Sequence, residues 1–254
     1  MGRPTAQVIS LNLDLISYHD ALSRIIEWAR NREPRFVCFA NVHMAIEAYR
    51  HPDFAGQVNR ASMVVADGVP LLGWLRSISR VRQERIAGMD AFPDLIRLAA
   101  LNGLKVYFFG TTVDLLERIR IKTNRLYPDL TIAGTFSPPF DKSLDEDSYV
   151  EQINASGADI VFVALGCPKQ EKWMARNSHR IRAVLLGVGG AFPVYAGISK
   201  RAPKFMQRFG LEWLFRLLQE PRRLFTRYLV TNSVFLALAF REKIRLWGKR
   251  ESRP

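Results

Sequence analysis

The stretch Ile160-Val-Phe-Val-Ala-Leu165 is apolar throughout and stops at Gly166. The run Lys105–Phe109 is apolar from its second residue onward. Unbroken apolar runs of this length are typical of strands that are buried on both faces of a parallel sheet. Shorter runs rich in β-branched and aromatic residues predict five further strands, at Val8–Leu11, Arg35–Ala40, Met63–Ala66, Leu130–Ala133 and Ala183–Val188.

Amphipathic segments with helical spacing separate these runs. They are Asp20–Asn31, Val42–Tyr49, Met89–Asn102, Val113–Tyr127, Ser143–Asn154 and Lys169–Asn177. Strands that alternate with helices in this way form a mainly parallel sheet with helices on both faces. The sequence therefore predicts a doubly wound, Rossmann-like α/β fold.

The pattern changes near residue 200. Aromatic-rich, basic sequence with helical spacing continues to the end, and we expect no further strand there. Pro221 should break or restart a helix in this part. We therefore divide the chain into an α/β core, residues 1–199, and a basic amphipathic helical appendage, residues 200–254.

The net charge of +13 is concentrated in the appendage. Residues 200–254 hold 14 Lys+Arg against 4 Asp+Glu, a balance of +10, whereas the core carries only +3. Such a segment attracts an anionic partner, either nucleic acid or an acidic membrane surface. Apolar side chains crowd together between Trp213 and Leu218, which favours a helix lying in a membrane interface. We expect an anionic membrane surface as partner and no nucleic acid.

The attachment to this membrane is expected to be peripheral. The longest apolar run in the appendage, Tyr228–Phe240, has 13 residues, and a spanning helix needs about 20. Met1–Gln7 lacks the apolar core of a signal peptide, so no secretory leader is expected. Two cysteines are too few for a disulfide framework, which favours a reducing compartment.

Ligands of open α/β sheets bind beyond the carboxyl ends of the strands. Glycine or a small polar residue follows nearly every predicted strand, and glycine lets a backbone approach a ligand closely. Each glycine alone is explained as well by turn geometry, but their recurrence at one edge favours a nucleotide pocket. The candidates at or just after these strand ends are Asn41, Asp67, Gly68, Gly110, Gly134, Gly166, Lys169, Gln170 and Gly189.

Two charged candidates, Asp67 and Arg85, each have an alternative structural role. Asp67 ends the run Met63–Ala66, where a general base or an acceptor for a sugar hydroxyl would sit, although a helix N-cap is an equal alternative. Arg85 could clamp a diphosphate. The alternative is a surface ion pair between Arg85 and Asp90.

Several motifs of other enzyme classes are absent from the sequence. It contains no phosphate-binding loop of the NTPases, no Gly-x-Gly-x-x-Gly after the first strand and no Gly-x-Ser-x-Gly elbow. The acids Asp145-Glu146-Asp147 resemble a metal-binding Asp-x-Asp, but acids are also common at a helix start. No Cys/His cluster has the spacing of zinc ligands, so we expect no metal and no bound cofactor.

The stretch Asp159-Ile-Val-Phe-Val-Ala-Leu-Gly-Cys-Pro-Lys-Gln-Glu-Lys-Trp173 resembles the signature of the WecG/TagA/CpsF glycosyltransferases, bacterial enzymes of cell-envelope polysaccharide assembly. Similar blocks occur in the same order along nearly the whole chain. They are Ala40-Asn41, Ala66-Asp67-Gly68, Glu84–Asp90, Gly187–Phe192, Lys200–Pro203 and Gly210–Arg223.

The resemblance implies transfer of a hexose from a UDP-sugar to an undecaprenyl-diphosphate-linked saccharide, with inversion, at the cytoplasmic face of the plasma membrane. It implies that Asp67 is the general base and that Asn41 and Gln170 line the donor site. The appendage of such enzymes contributes arginines, for which the candidates are Arg216, Arg222, Arg223 and Arg227. We take Arg216 and Arg223 as the catalytic pair and the other two as substrate-binding.

Two positions depart from the family pattern. This chain has Phe39 where relatives often have Thr, and Pro193 where they often have Asp. The resemblance therefore does not identify the donor sugar. The residues alone leave two other classes open, a different nucleotide-dependent α/β enzyme and a non-catalytic membrane-surface protein. Homo-oligomerisation would cover apolar surface that the core exposes without its appendage.

Overall fold

The computed structural model describes residues 4–139 and 146–251, without the side chains of Arg208, Arg223 and residues 247–251. It contains eight strands, namely β1 (Thr5–Val8), β2 (Leu11–Asp14), β3 (Arg35–Ala40), β4 (Met63–Ala66), β5 (Val106–Gly110), β6 (Ile132–Phe136), β7 (Ile160–Ala164) and β8 (Val184–Gly187). The helices before the appendage are α1 (Tyr18–Arg30), α2 (Val42–Arg50), α3 (Pro52–Asn59), α4 (Val69–Trp74), α5 (Gly88–Leu101), α6 (Val113–Leu126), α7 (Glu146–Ser156), α8 (Lys169–Asn177) and α9 (Phe192–Tyr195). The appendage forms α10 (Lys204–Arg208), α11 (Glu212–Gln219) and α12 (Pro221–Glu251).

Six strands form one sheet in the order β4-β3-β8-β7-β5-β6, and every neighbouring pair is parallel. Side chains alternate between its two faces. In β7, for example, Ile160 and Phe162 join one hydrophobic cluster while Val161 and Val163 join the other. Helices α1, α5 and α6 cover one face, and α2, α3, α7 and α8 cover the other. The predicted α/β fold with a mainly parallel sheet is confirmed.

The first predicted strand, Val8–Leu11, is wrong. Val8 and Leu11 are partners across a tight turn that joins β1 to β2, and Ile9 in that turn has φ +57°. The apolar side chains of Val8 and Leu11 remain buried. The stretch Val8-Ile-Ser-Leu11 therefore contains the reversal of a hairpin rather than one extended strand.

The strand predicted at Leu130–Ala133 begins two residues later and runs to Phe136. Gly134 therefore lies inside β6 and not after it, which corrects the expectation that it follows a strand. A Cβ at Gly134 would collide with the ring of Tyr107 on the neighbouring β5. The glycine is explained by this packing within the sheet.

The appendage packs on the core along α2 and the π-helical segment Leu75–Ser79. The ring of Phe235 on α12 lies 5.7 Å from that of Trp74, and Leu224 is buried as well. Helix α11 ends at Gln219 and α12 starts at Pro221, so the predicted restart is confirmed. Among the described residues, none of the helices is both long and apolar enough to cross a membrane. The boundary at residue 199 stays a prediction.

Gly110 lies where no other residue fits without strain, and Gly103 serves as a control glycine with space around it. Its φ is +111°, and a Cβ there would lie 2.5 Å from the carbonyl oxygen of Ala164, whereas Gly103, with φ +63°, has open space around it. We expect Gly110→Ala to reduce the free energy of unfolding by about 3 kcal/mol, because strain and overpacking add. Gly103→Ala should cost about 1 kcal/mol, from backbone strain alone. Urea unfolding checks this, and equal losses would contradict it.

Candidate active site

The carboxyl ends of β3 and β4 place two polar candidates side by side. Ala40 and Ala66, the last residues of the two strands, are partners in the parallel register. The backbone N–H groups of Asp67 and Gly68 both donate to the carbonyl oxygen of Ala40, at 2.8 and 3.3 Å. Asn41 and Asp67 therefore start neighbouring loops at one edge of the sheet, as the sequence predicts.

Asn41 is the N-cap of α2. Its Oδ1 accepts a hydrogen bond of 3.1 Å from the backbone N–H of Met44. A cap of this kind satisfies one of the unpaired N–H groups at the start of a helix. The bond also fixes the side-chain amide beside Gly68, where a Cβ would lie 3.5 Å from the Cα of Asn41.

Asp67 is held by Arg85, which lies in the loop before α5. The Arg85 Nε donates to the backbone carbonyl of Asp67 at 2.7 Å, and its Nη2 lies 3.6 Å from the carboxylate Oδ1. The N-cap of α4 is Gly68, so the alternative role of Asp67 as a helix cap is wrong. Its side chain keeps 25% of its surface exposed, which leaves the carboxylate open to a reactant.

The environment of Asp67 raises its pKa to about 6. Removal of water from around the carboxylate is the largest cause, and repulsion by the Glu212 carboxylate adds to it. The positive charge of Arg85, an N–H bond from Gly88 and the charge of Arg216 act in the opposite direction. A carboxylate with a raised pKa is a stronger base than an ordinary one, which suits proton abstraction.

Arg85 and Asp90 form their ion pairs with other residues. Arg85 pairs with Glu212 at the start of α11 in addition to Asp67. Asp90, in the first turn of α5, pairs with Nη1 of Arg201 at 2.6 Å. The Nε of Arg201 also lies 3.8 Å from Glu212. The alternative of an ion pair between Arg85 and Asp90 is thus replaced by contacts that join the core to the appendage.

The predicted site did not include Glu212 or Arg201. A sequence signal exists for Glu212, which is the one acidic residue between Lys200 and Gln219 in a strongly basic segment. An isolated acid in such a segment indicates a specific cationic partner. Which cation it meets depends on how the appendage folds back on the core.

Gln170 lies on the next part of the same edge, in the first turn of α8. It is only 6% exposed, and its Nε2 donates to Oε1 of Glu171 at 2.7 Å. A Cβ at Gly187 would lie 3.1 Å from Gln170 Nε2, and one at Gly189 would lie 2.9 Å from its Oε1. Gly189 therefore leaves room for this side chain, and Gly187 leaves room both for it and for Met174, whose Cε would lie 2.7 Å from such a Cβ. The sequence predicts Gly189 as a ligand contact, and the structure adds this packing role.

Glu171 is fully buried beneath the site, and burial raises its pKa to about 7. Its carboxylate orients the carboxamide of Gln170 from below. The sequence pattern alone does not distinguish Glu171 from an ordinary acid in the first turn of a helix.

Three further candidates at this edge are Gly166, Lys169 and Gly110, and none of them takes part in the ion pairs described here. Gly166 has φ +79° and its Cβ position faces open space. Lys169, the first residue of α8, is exposed. Gly110 closes β5 against Ala164 of β7.

The appendage arginines lie at different places. The guanidinium of Arg216 lies 3.8 Å from the Cβ position of Gly190, and its charge reaches Asp67. Arg222 is exposed in the first turn of α12. Arg227 is exposed one turn later, near enough to His43 on α2 to contribute, after burial, to lowering its pKa. The side chain of Arg223 lies outside the described residues. Of the predicted arginines whose side chains are described, Arg216 is therefore the one whose charge reaches Asp67.

The acids at the start of α7 form ion pairs with arginines. Glu146 pairs with Arg176 and Asp147 with Arg180, while Asp145 lies outside the described residues. Across residues 4–139 and 146–251, no group of three or more His, Cys, Asp or Glu side chains is arranged to hold a metal ion.

The geometry defines a class of protein. A doubly wound parallel sheet with a basic carboxylate and arginines at the carboxyl ends of its strands is built for chemistry on an anionic, nucleotide-like ligand. The family model described as "Glycosyl transferase WecG/TagA/CpsF family" matches residues 6–249, and the chain belongs to this family of glycosyltransferases.

Curated relatives cover most of the chain. The protein named N-acetylglucosaminyldiphosphoundecaprenol N-acetyl-beta-D-mannosaminyltransferase in Bacillus spizizenii strain W23 is 35% identical over 189 residues, which is 74% of this chain and 72% of the relative. A protein of the same name in Bacillus subtilis strain 168 is 31% identical over 214 residues, 84% of this chain and 82% of the relative. In Staphylococcus aureus strain MW2 the figures are 28% over 190 residues and 74% of each chain.

The raised pKa of Asp67 predicts a pH-dependent cost in stability. Its folded pKa of about 6 exceeds the ordinary value of 3.8, so the folded state loses stability as the pH rises through this range. Asp67→Asn removes that loss and should raise Tm at pH 8 by on the order of 5–10 °C, with little gain at pH 4. Scanning calorimetry beside the exposed-loop control Asp129→Asn checks this. A gain that is larger at pH 4 would contradict it.

Proposed function

We propose that this protein transfers a hexose from a UDP-sugar to an undecaprenyl-diphosphate-linked saccharide, with inversion at the anomeric carbon. The observation that carries the proposal is the basic carboxylate of Asp67, flanked by Arg85 and Arg216 at the carboxyl edge of the sheet. The names of the relatives specify an undecaprenyl-diphosphate-linked acceptor and transfer of an amino sugar.

Asp67 acts as the general base. The acceptor hydroxyl oxygen attacks the anomeric carbon of the donor and forms the new glycosidic bond, while its proton passes to the Asp67 carboxylate. The bond between the anomeric carbon and the phosphate oxygen breaks, and its electron pair leaves with UDP. A base with a pKa near 6 is still mostly ionised at neutral pH, which is the balance that general-base catalysis needs.

Arginines stabilise the leaving group. UDP gains negative charge as the bond to the sugar breaks, and fixed positive groups stabilise that transition state. Arg216 and Arg223 supply this charge in our proposal, and Arg85, Arg222 and Arg227 bind the diphosphates of donor and acceptor. We expect activity to persist in EDTA because these guanidinium groups take the place of a metal.

The donor binds along the glycine-bordered edge of the sheet. Asn41 and Gln170 contact the nucleotide sugar through their side-chain amides, and Lys169 and Asp90 contribute further polar contacts. The backbone of the loops there approaches the ligand at Gly68, Gly110, Gly166 and Gly189, where no side chain intervenes. Gly134 is a weaker candidate because it lies within β6.

The appendage holds the protein against the membrane that carries the acceptor. Large apolar side chains stand exposed along it, including Phe205, Phe209, Leu218, Phe225, Leu229, Leu236 and Phe240. Exposed apolar groups beside arginines suit a helix that lies in an anionic interface. The free thiols of Cys38 and Cys167 suit the reducing, cytoplasmic side. The same exposed face could also join two copies of the chain.

The first test measures UDP release by the full-length protein with undecaprenyl-diphosphate-linked N-acetylglucosamine and a panel of UDP-hexoses, with and without EDTA. We expect acceptor-dependent release that survives EDTA and falls at least 100-fold in Asp67→Asn, since general bases contribute about 10²–10⁴-fold. Asp129→Asn is the control and should keep full activity. Release that persists in Asp67→Asn would contradict the proposed base.

Arg216 offers a second test. Arg216→Ala should lower kcat on the order of 100-fold, as the loss of one transition-state donor does elsewhere. Arg241→Ala removes the same charge from an exposed position on α12 and should change kcat little. Steady-state kinetics with saturating donor separate the two. Equal losses would show that the arginines act through membrane attraction alone.

A further inference from the structure

The appendage brings a carboxylate as well as arginines to the active site. Glu212 is the first residue of α11, and its Oε2 forms an ion pair with Nη2 of Arg85. Only 17% of the Glu212 side chain and 22% of the Arg85 side chain are exposed. Ion pairs that are largely shielded from water interact more strongly than surface pairs, so this contact fixes where the Arg85 guanidinium lies.

Glu212 and Asp67 share the same guanidinium nitrogen. Nη2 of Arg85 contacts Glu212 but remains 3.6 Å from Oδ1 of Asp67, beyond a good hydrogen bond. The Nε of Arg85 is meanwhile bonded to the backbone carbonyl of Asp67. The guanidinium is thus held beside the Asp67 carboxylate, while its Nη2 binds Glu212 of the appendage.

The other charges around Asp67 do not replace this contact. Arg216 on α11 faces Asp67 from the appendage, and Arg201 lies near enough for the two charges to interact. Arg201 binds Asp90 on α5 through Nη1, and its Nε lies 3.8 Å from Glu212, so its described ion pairs do not include Asp67. Loss of the Glu212 carboxylate would therefore leave Arg85 with Asp67 as its remaining anionic partner among the ion pairs described here.

We propose that Glu212 is a positioning residue that draws the Arg85 fork away from Asp67 and so keeps the Asp67 carboxylate basic enough to accept the acceptor's proton. Docking of α11 then completes the catalytic base in addition to supplying Arg216. This inference rests on the proposed role of Asp67 as the base. The proposal implies that Glu212, an acidic residue in a basic appendage, is necessary for full activity.

Removal of the Glu212 charge should lower the pKa of Asp67. In Glu212→Gln, repulsion of the Asp67 carboxylate disappears and Arg85 is free to pair with it fully. Both changes favour the ionised form of Asp67, so its pKa falls and it becomes a weaker base. A residue that merely holds α11 in place would lower activity without moving this titration.

The experiment is the pH profile of kcat/KM for UDP release by the full-length protein on vesicles that contain the lipid-linked acceptor. In Glu212→Gln we expect the acid limb to move down by roughly one pH unit and the plateau to fall on the order of tenfold. Glu212→Asp keeps the charge on a shorter side chain and should move the acid limb down by a smaller but still measurable amount. Glu242→Gln makes the same charge change on α12, where Glu242 pairs with Arg245, and should match the wild type.

The outcomes separate this inference from the proposed function. Persisting transfer in Asp67→Asn would overturn the function of Asp67 itself. If Asp67→Asn is inactive but Glu212→Gln keeps the wild-type acid limb, whatever its rate, the positioning role of Glu212 is wrong and the base remains. If Glu212→Gln does not fold by circular dichroism, Glu212→Asp decides, because a longer reach to Arg85 should still move the acid limb down measurably.

Discussion

The site depends on one guanidinium group held between two carboxylates. Arg85 is anchored through its Nε to the backbone of Asp67, and its Nη2 is turned to Glu212 of the appendage. A charged group this poorly solvated persists only when it is paired. The core and the appendage therefore complete each other electrostatically, and the reactivity of Asp67 depends on both. In our proposal, the basic appendage takes part in the chemistry as well as in membrane attraction.

The sheet supplies the precision that this arrangement requires. The register of β3 and β4 fixes Asn41 beside Asp67, and the turn after β8 admits the carboxamide of Gln170 against two glycines. These positions rest on strands with both faces buried, which are among the most rigid parts of a protein. The side chains of the site are therefore in place before the sugar donor and the lipid-linked acceptor bind. Electrostatic stabilisation of a transition state requires such fixed groups.

The fold was largely predictable from sequence because its signals are local. Apolar runs such as Ile160–Ala164 mark buried strands, and the residue after each run lies at the binding edge. A strand boundary depends on contacts between strands as well as on local pattern, and Gly134 lies within β6, packed against the ring of Tyr107 on β5. The partner of Arg85 lies 127 positions away in the chain. The isolation of Glu212 in a basic segment indicates a cationic partner, but a single sequence does not show that this partner is Arg85, whereas Asp67 is marked locally by the strand that it follows.

The most direct test of the account is the ionisation of Asp67 itself. The carboxyl carbons of the full-length protein can be labelled with ¹³C at aspartate and followed by NMR against pH, with the Asp67 signal assigned by its absence in Asp67→Asn. The account predicts a titration midpoint near 6, raised by desolvation and by Glu212. A midpoint at or below the ordinary value of 3.8 would mean that Arg85 dominates the site. It would contradict the view that core and appendage together make Asp67 basic.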